Sequence, residues 1–496
     1  MATTTSTSRP LLRQPVRSGR RACPKSAPAP RRIAWNFLLM SGAELACRAT
    51  SIAVTLSLTK RLGMAGYGRV EFAFNVVFWL VLLVRDGFEV IAARELARHP
   101  RLVRPLVNHV LAIKGLLALG LYLGLMVAGV TILETNADRA LLGLYGLMLF
   151  TTATGIDYVY RGLERMGIVA VSLCLRTVIY AVGVGYWVGD ASRILWVPGW
   201  LALGEGLGIA LVWSSYIRER GWPRPMLGRR FLGVFLRRGK TVLLIGLAQT
   251  VLASVDLMVV GLFCVWTEIG LFGAPHRMVT AILTFGLIFQ QVVFPSLARA
   301  WRDAPGEGRK SLDALVRVLA LILIPVAVGT SILAGPLVTL LFPPAYHAAG
   351  VLLAIGIWRA PLLTLAFLYQ TTLIALNREA IGVRMLLAGA CVSGPLTVVM
   401  LWLFGLPGAA ASVGLTALVL AAAGYGRLAS EGRQPAWHHH LARPIVASAV
   451  MALTCELFKS SHVLLAVLAG AIAYTVALVA IGGLKKSDIK AVMGQV

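Results

Sequence analysis

Acidic side chains are scarce in this sequence. Of 496 residues, 21 are Asp or Glu and 47 are Lys or Arg, which leaves a formal charge of +26. Charged residues of both signs make up only 14% of the chain, 58% is apolar, and the mean hydropathy is +0.79, well outside the soluble range. Cysteine is sparse as well. Cys23, Cys47, Cys174, Cys264, Cys391 and Cys455 are dispersed without CxxC spacing, so neither a disulfide framework nor a thiolate metal centre is encoded. There is no GxxxxGK[ST] loop to cradle a nucleoside triphosphate, and no acidic pair at DxD spacing. Period-two alternation of apolar and polar residues is missing too, which favours helices over a transmembrane barrel.

Long apolar runs are what the chain has in abundance. A helix needs about 20 apolar residues to span a bilayer. About fourteen stretches qualify, near Trp35–Leu58, Val70–Ala92, Leu106–Ile132, Ala140–Tyr160, Gly167–Val188, Leu195–Ile217, Thr241–Cys264 and Ala274–Leu297, then Leu319–Leu341, Ala348–Leu376, Ile381–Leu403, Pro407–Leu428, Pro444–Leu457 and His462–Leu484. The thirteenth is short, as a tilted or re-entrant segment would be. The expected fold is an all-α polytopic membrane protein.

The basic residues orient it. With the N-terminus in the cytoplasm, the inner side receives Arg94, Arg98, Arg101 and Arg104, then Arg218, Arg220, Arg224, Arg229, Arg230, Arg237, Arg238 and Lys240. Arg299, Arg302, Arg309, Lys310, Lys485, Lys486 and Lys490 fall on the same side. This satisfies the positive-inside rule and puts both termini in the cytoplasm. The charge therefore requires no nucleic-acid partner; arginines facing an anionic leaflet account for it. Residues 1–32 hold eight basic residues and no acid, the composition of a disordered cytoplasmic arm touching anionic lipid. His438 to His440 stand in a cytoplasmic loop without an acidic or cysteine ligand nearby, so they read as solvated rather than metal-binding.

The basic stretch 218–240, with Pro223, Pro225 and Gly228, reads as a linker between two six-helix lobes, residues 33–217 and 241–428. Residues 429–496 add two helices and a tail. Short repeats support the division: Gly66-Tyr67-Gly68 ahead of helix 2 against Gly270-Leu271-Phe272-Gly273 ahead of helix 8, and GLERMGI (Gly162 to Ile168) against ALNREAIGV (Ala375 to Val383). Both pairs are six helices apart. An even offset gives the lobes the same orientation, related by an axis along the membrane normal, around a central cavity.

Several stretches resemble a known family. TKRLGMAGYGRVEFA (Thr59 to Ala73) is similar to the junction of helices 1 and 2 in polysaccharide-biosynthesis flippases, members of the multidrug/oligosaccharidyl-lipid/polysaccharide exporter superfamily. RDGFEVIAARELAR (Arg85 to Arg98), DYVYRGLERMG (Asp157 to Gly167), TEIGLFGAPHRM (Thr267 to Met278) and LPGAAAS (Leu406 to Ser412) are similar to later stretches of those proteins. So is AGPLVTLLFPPAYHAAGVLL (Ala334 to Leu353), although Pro343-Pro344 stands where a glycine is usual. The resemblance runs in order over nearly the whole chain from Trp35. It implies a V-shaped pair of helical bundles in the cell's inner membrane, flipping a lipid-linked oligosaccharide to the outer leaflet. It implies no cofactor beyond a coupling proton or sodium ion, and glycan polymerase or assembly proteins as partners. A lipid-linked peptidoglycan precursor and a drug or small cation are the rival cargoes. A glycan-handling membrane enzyme is disfavoured by the short outer loops.

Charges at membrane depth are the candidate site. Each costs at least about 2.5–3.5 kcal/mol to insert and needs a partner, a water-filled cavity or a role. Glu44 with Arg48, Arg85 with Glu89 (Asp86 alongside) and Asp157 with Arg161 stand at i, i+4 and can pair on one helix face. These are either structural ion pairs or the wall of a charged cavity, Asp157 and Arg161 lying close enough to the boundary to be solvated. For a cargo carrying phosphate, Arg48 and Arg85 are the candidate contacts, because a guanidinium binds phosphate oxygens bidentately and stays charged. Arg359 has no acid at i±4 and is expected to face the cavity; Arg277 either does so or snorkels to the interface. Asp256 and Glu205 are candidates for coupling to a proton or sodium ion, or for a hydrogen bond between helices. Pro295, Pro325, Gly335-Pro336 and Pro361 are expected to kink helices 8 to 10.

Overall fold

Membrane-depth backbone must satisfy its own hydrogen bonds, and a helix does so within one segment. The computed structural model, which describes residues 30–459 and 462–482, is helical throughout, with no strand among the described residues. The basic arm up to residue 29, the lysines of the tail and the side chains of His438 to His440 lie outside the described residues. In chain order the helices are α1 (Pro30–Arg98), α2 (Val103–Ile132), α3 (Asn136–Thr154), α4 (Asp157–Gly162), α5 (Met166–Trp187), α6 (Trp196–Arg220) and α7 (Arg229–Phe263). They continue as α8 (Trp266–Asp303), α9 (Pro305–Leu341), α10 (Ala349–Gly356), α11 (Arg359–Ala375), α12 (Glu379–Ser430), α13 (Trp437–Phe458) and α14 (Val463–Ala480).

Two helices run through expected boundaries. Gly63 (φ 66°) and Gly405 (φ 67°) bend α1 and α12 where helices 1 and 2, and 11 and 12, were expected to meet. A left-handed φ costs glycine little, so each bend needs no longer loop. Among the described residues, eleven helices are long and apolar enough to cross a membrane. The fourteen expected from the sequence are not reached on that measure, because α12 counts once despite its bend and the charge-rich α1 is not among the eleven.

Other boundaries differ for local reasons. Expected helix 4 is cut at Gly155, whose extended backbone (ψ 128°) separates α3 from α4. Expected helix 10 divides into α10 and α11 around Trp358. Helix 13 is not short: α13 has 22 residues and passes through Pro444. The expected linker 218–240 is irregular only over residues 221–228, since α7 already begins at Arg229. Likewise α9 is one helix through Pro325 and Pro336, so neither proline interrupts it.

Packing is led by small residues, which let backbones approach where lipid offers no hydrophobic drive. The arm of α1 after Gly63 lies along α8 and α7, α5 packs on α1 and α6, α12 on α7 and α11, and α13 and α14 on α9. Gly68 and Gly270, members of the repeated glycine motifs, meet face to face. A Cβ on Gly68 would overlap the Trp266 carbonyl oxygen, and one on Gly270 would overlap that of Met64. The second repeat pair also has a shared conformation. Glu164 (φ 60°) and Asn377 (φ 59°) are left-handed residues just past α4 and α11. Behind each, the next amide closes the same cap: Arg165 N–H donates to Tyr160 O and Arg378 N–H to Leu373 O, both at 2.8 Å.

Candidate functional site

Where α1 and α8 touch, one turn past Gly68 and two turns past Gly270, sits an ion pair. Arg277 Nε donates to Glu71 Oε1 (2.9 Å) and Oε2 (3.1 Å), and its Nη2 donates to Oε2 (3.0 Å). Tyr67 donates its hydroxyl to Glu71 Oε2 at 3.1 Å, and the Arg277 guanidinium lies 4.3 Å from the centre of the Phe74 ring. Gly273 leaves the room: a Cβ there would come within 2.7 Å of Glu71 Cγ. Glu71 leaves 3% of its side chain accessible and Arg277 leaves 26%.

A second group of charges gathers in the first half of the chain. Arg176 on α5 reaches Asp157 on α4 (3.1 Å) and Glu205 on α6 (3.0 Å) and also donates to Ser172 Oγ (3.1 Å). Glycine makes that possible, since Gly204 and Gly208 leave the space that the Arg176 backbone and side chain fill. Lys114 on α2, fully buried, donates to Glu89 Oε1 at 2.9 Å and to the Gly155 carbonyl at 3.4 Å, which the break between α3 and α4 leaves free. Arg85 pairs with Asp86 at 2.8 Å, and Arg48 with Glu44 at 3.4 Å.

Arg85 has 45%, Glu205 26% and Arg277 26% of its side chain accessible.

One ion pair in the second half is completely buried. Arg359 Nη1 meets Asp256 Oδ2 at 2.5 Å, with the two side chains 2% and 1% accessible, and Thr280 Oγ1 accepts from Arg359 at 3.3 Å. His276 Nε2 lies 3.5 Å from Asp256 Oδ1. Asp256, His276 and Arg359 line a small cavity of about 10 Å³. Asp256 Oδ1, His276 Nε2 and Arg359 Nε are buried without a hydrogen-bond partner.

The expected pairings change accordingly. Glu44 and Arg48 do pair. Arg85 takes Asp86, and Glu89 instead takes Lys114. Asp157 takes Arg176 in place of Arg161, which is exposed. Arg359 was expected to face the cavity, but Asp256 holds it inside the helix packing, because a buried guanidinium without a carboxylate is far costlier. Arg277 pairs with Glu71 between α1 and α8. Glu71, Lys114, Arg176 and His276 were not among the expected site residues. Lys114 and Arg176 had a signal, each being a lone cation in an apolar run, whereas Glu71 and Arg277 are joined only by the fold. Among the described residues no group of acids, cysteines and histidines could hold a metal ion.

The sequence profile of polysaccharide biosynthesis proteins matches residues 34–301, more than half of the chain. The chain belongs to the polysaccharide biosynthesis protein family. No curated protein matches it in sequence. Among solved structures, this family member is similar to the "Lipid II flippase MurJ, inward closed conformation", with a TM-score of 0.73, 13% identity, and 89% of this chain and 98% of that chain covered. An inward-facing multidrug resistance MATE family transporter of the MOP superfamily gives 0.65 at 14% identity, covering 80% of this chain and 98% of that one. The MATE multidrug transporter DinF-BH gives 0.61 at 14% identity, covering 82% and 96%. At these identities the likeness establishes the fold, which this polysaccharide biosynthesis protein shares with MOP-superfamily transporters.

Proposed function

We propose that the chain flips a lipid-linked oligosaccharide, a glycan on a polyprenyl phosphate or diphosphate, from the cytoplasmic to the outer leaflet of the inner membrane by alternating access. The observation that carries this is Arg85, a guanidinium with 45% of its side chain accessible, with a second partly accessible arginine, Arg277, where α1 meets α8. A phosphate head crossing low dielectric needs a guanidinium there, while the lipid tail can remain in the bilayer. The family and the fold support a cargo of this kind. We take residues 33–217 and 241–428 as the two lobes that rock, with both termini in the cytoplasm. Opening on the side of Gly68 then requires α1 to leave α8, which breaks the Glu71–Arg277 pair.

Charge in the first lobe is nearly balanced. Glu44, Asp86, Glu89, Asp157 and Glu205 stand against Arg48, Arg85, Lys114 and Arg176. A phosphate must therefore displace a carboxylate from its arginine, and the displaced carboxylate is the natural place for a coupling proton. The same surplus of carboxylate supports a second reading, export of an organic cation, as the names of the multidrug neighbours suggest for those proteins. A peptidoglycan-precursor lipid brings the same diphosphate chemistry as the glycan lipid. Reconstitution in liposomes with a fluorescent polyprenyl-diphosphate oligosaccharide tests the reading. Exposure of the label on the outer leaflet, lost in Arg85→Ala and Arg48→Ala proteins that still fold, supports glycolipid flipping. No movement of glycolipid, together with uptake of an organic cation under a gradient, overturns it.

A further inference from the structure

The segment between α6 and α7, residues 221–228, is irregular yet tied down. Arg224 N–H donates to Asn108 Oδ1 at 2.9 Å and Met226 N–H to the Asn108 carbonyl at 3.2 Å, while Arg104 reaches the Arg220 carbonyl. Pro223 and Pro225 restrict the backbone between these ties. Held this way, the segment presents its apolar side chains outward: Trp222 is 80% accessible, Met226 58% and Leu227 56%. Asn108 lies five residues into α2, itself a candidate span, so the segment sits beside the first turns of that helix. The end of a membrane span is where an interface begins, and an indole ring and aliphatic chains are favoured there. Charge completes the surface. No acidic residue occurs between Glu219 and Asp256, a stretch that contains Arg220, Arg224, Arg229, Arg230, Arg237, Arg238 and Lys240, and Glu219 is already paired with Arg165.

We propose that residues 221–228 form a docking strap for anionic lipid: Trp222, Met226 and Leu227 enter the interface while Arg220 and Arg224 bind acidic headgroups. The strap joins the two halves of the chain, so lipid of the right charge fixes the joint between them. This inference does not depend on which cargo is moved. Basic residues next to a membrane surface each strengthen binding to acidic lipid about fivefold. The test uses full-length protein with its native cysteines replaced, carrying Met226→Cys labelled with a polarity-sensitive fluorophore, in nanodiscs of phosphatidylcholine alone or mixed with phosphatidylglycerol. Lipids bearing a nitroxide below the headgroup should quench the label, by about twofold more when phosphatidylglycerol is present. Arg220→Gln and Arg224→Gln together should remove that increment, and Leu227→Cys should report the same pattern. Quenching by aqueous iodide in both lipids would overturn the docking. Lipid quenching that ignores phosphatidylglycerol and the arginines would overturn the anionic specificity, and shielding from both quenchers would point to a protein partner and overturn the proposal as a whole.

Discussion

Arg85 in the first half of the chain leaves 45% of its side chain accessible, and Arg359 in the second half leaves 2%. Both lie at membrane depth and both contact a carboxylate, but their surroundings differ. Arg85 keeps nearly half of its side chain accessible, so its pairing with Asp86 is exchangeable at modest cost. Arg359 is locked to Asp256 among α7, α8 and α11, where no group can enter without breaking the helix packing. A charge in a membrane protein is thus not diagnostic in itself. What separates a working charge from a structural one is whether its partner can be replaced.

The comparison can be broken most sharply in the second half. Asp256→Asn leaves the Arg359 guanidinium buried without its counter-charge and should lower stability by about 3–5 kcal/mol, read as a fall in the thermal midpoint of the purified protein. Replacing both partners by apolar residues of similar size, Asp256→Leu with Arg359→Met, should recover most of that loss. If Asp256→Asn leaves stability intact and abolishes transport, the second half holds a working charge and the contrast fails. Gly68→Ala ranks next. The added Cβ meets the Trp266 carbonyl, which cannot rotate away, so α1 and α8 must separate at about 1–3 kcal/mol. Greater labelling of a cysteine placed beside Gly270 would register it.

Arg85→Gln tests the first half, with the reverse signature. Its stability change should stay within about 1 kcal/mol, as for other accessible pairs. Its initial flipping rate should fall by about tenfold or more, the equivalent of one charge-assisted hydrogen bond of about 1.5–3 kcal/mol. The smallest effect concerns the twin caps. Glu164→Gly should raise stability by about 1 kcal/mol by relieving a left-handed non-glycine residue, and Asn377→Gly by less, since asparagine tolerates that conformation better. Equal responses would mean the two caps are strained alike.

The helices were legible because apolar runs of this length have few alternatives in lipid, and so were the junctions at Gly63 and Gly405. The interruption at Gly155 was not, because a glycine inside an apolar run resembles any helix-packing glycine. What differs there is Lys114, which supplies the missing partner for the freed carbonyl from 41 residues away. Among the charges, pairing within one helix was legible for Glu44 and Arg48, whose spacing is local. Arg176 could not be matched to Asp157 and Glu205, because three helices converge on it and no spacing records that. Glu71 and Arg277 are 206 positions apart, and the nearest hint is their placement one turn beyond the repeated glycines.

The arm of α1 beyond Gly63 touches its neighbours at both ends. Gly68 meets Gly270 at one, and at the other a Cβ on Gly239 would stand 2.9 Å from the Gly87 carbonyl oxygen. The two contacts are roughly 28 Å apart along the helix, close to the thickness of the hydrocarbon core. Close backbone contacts thus clamp one helix near both of its ends, so any movement of α1 against α8 or α7 has to part glycine from glycine first.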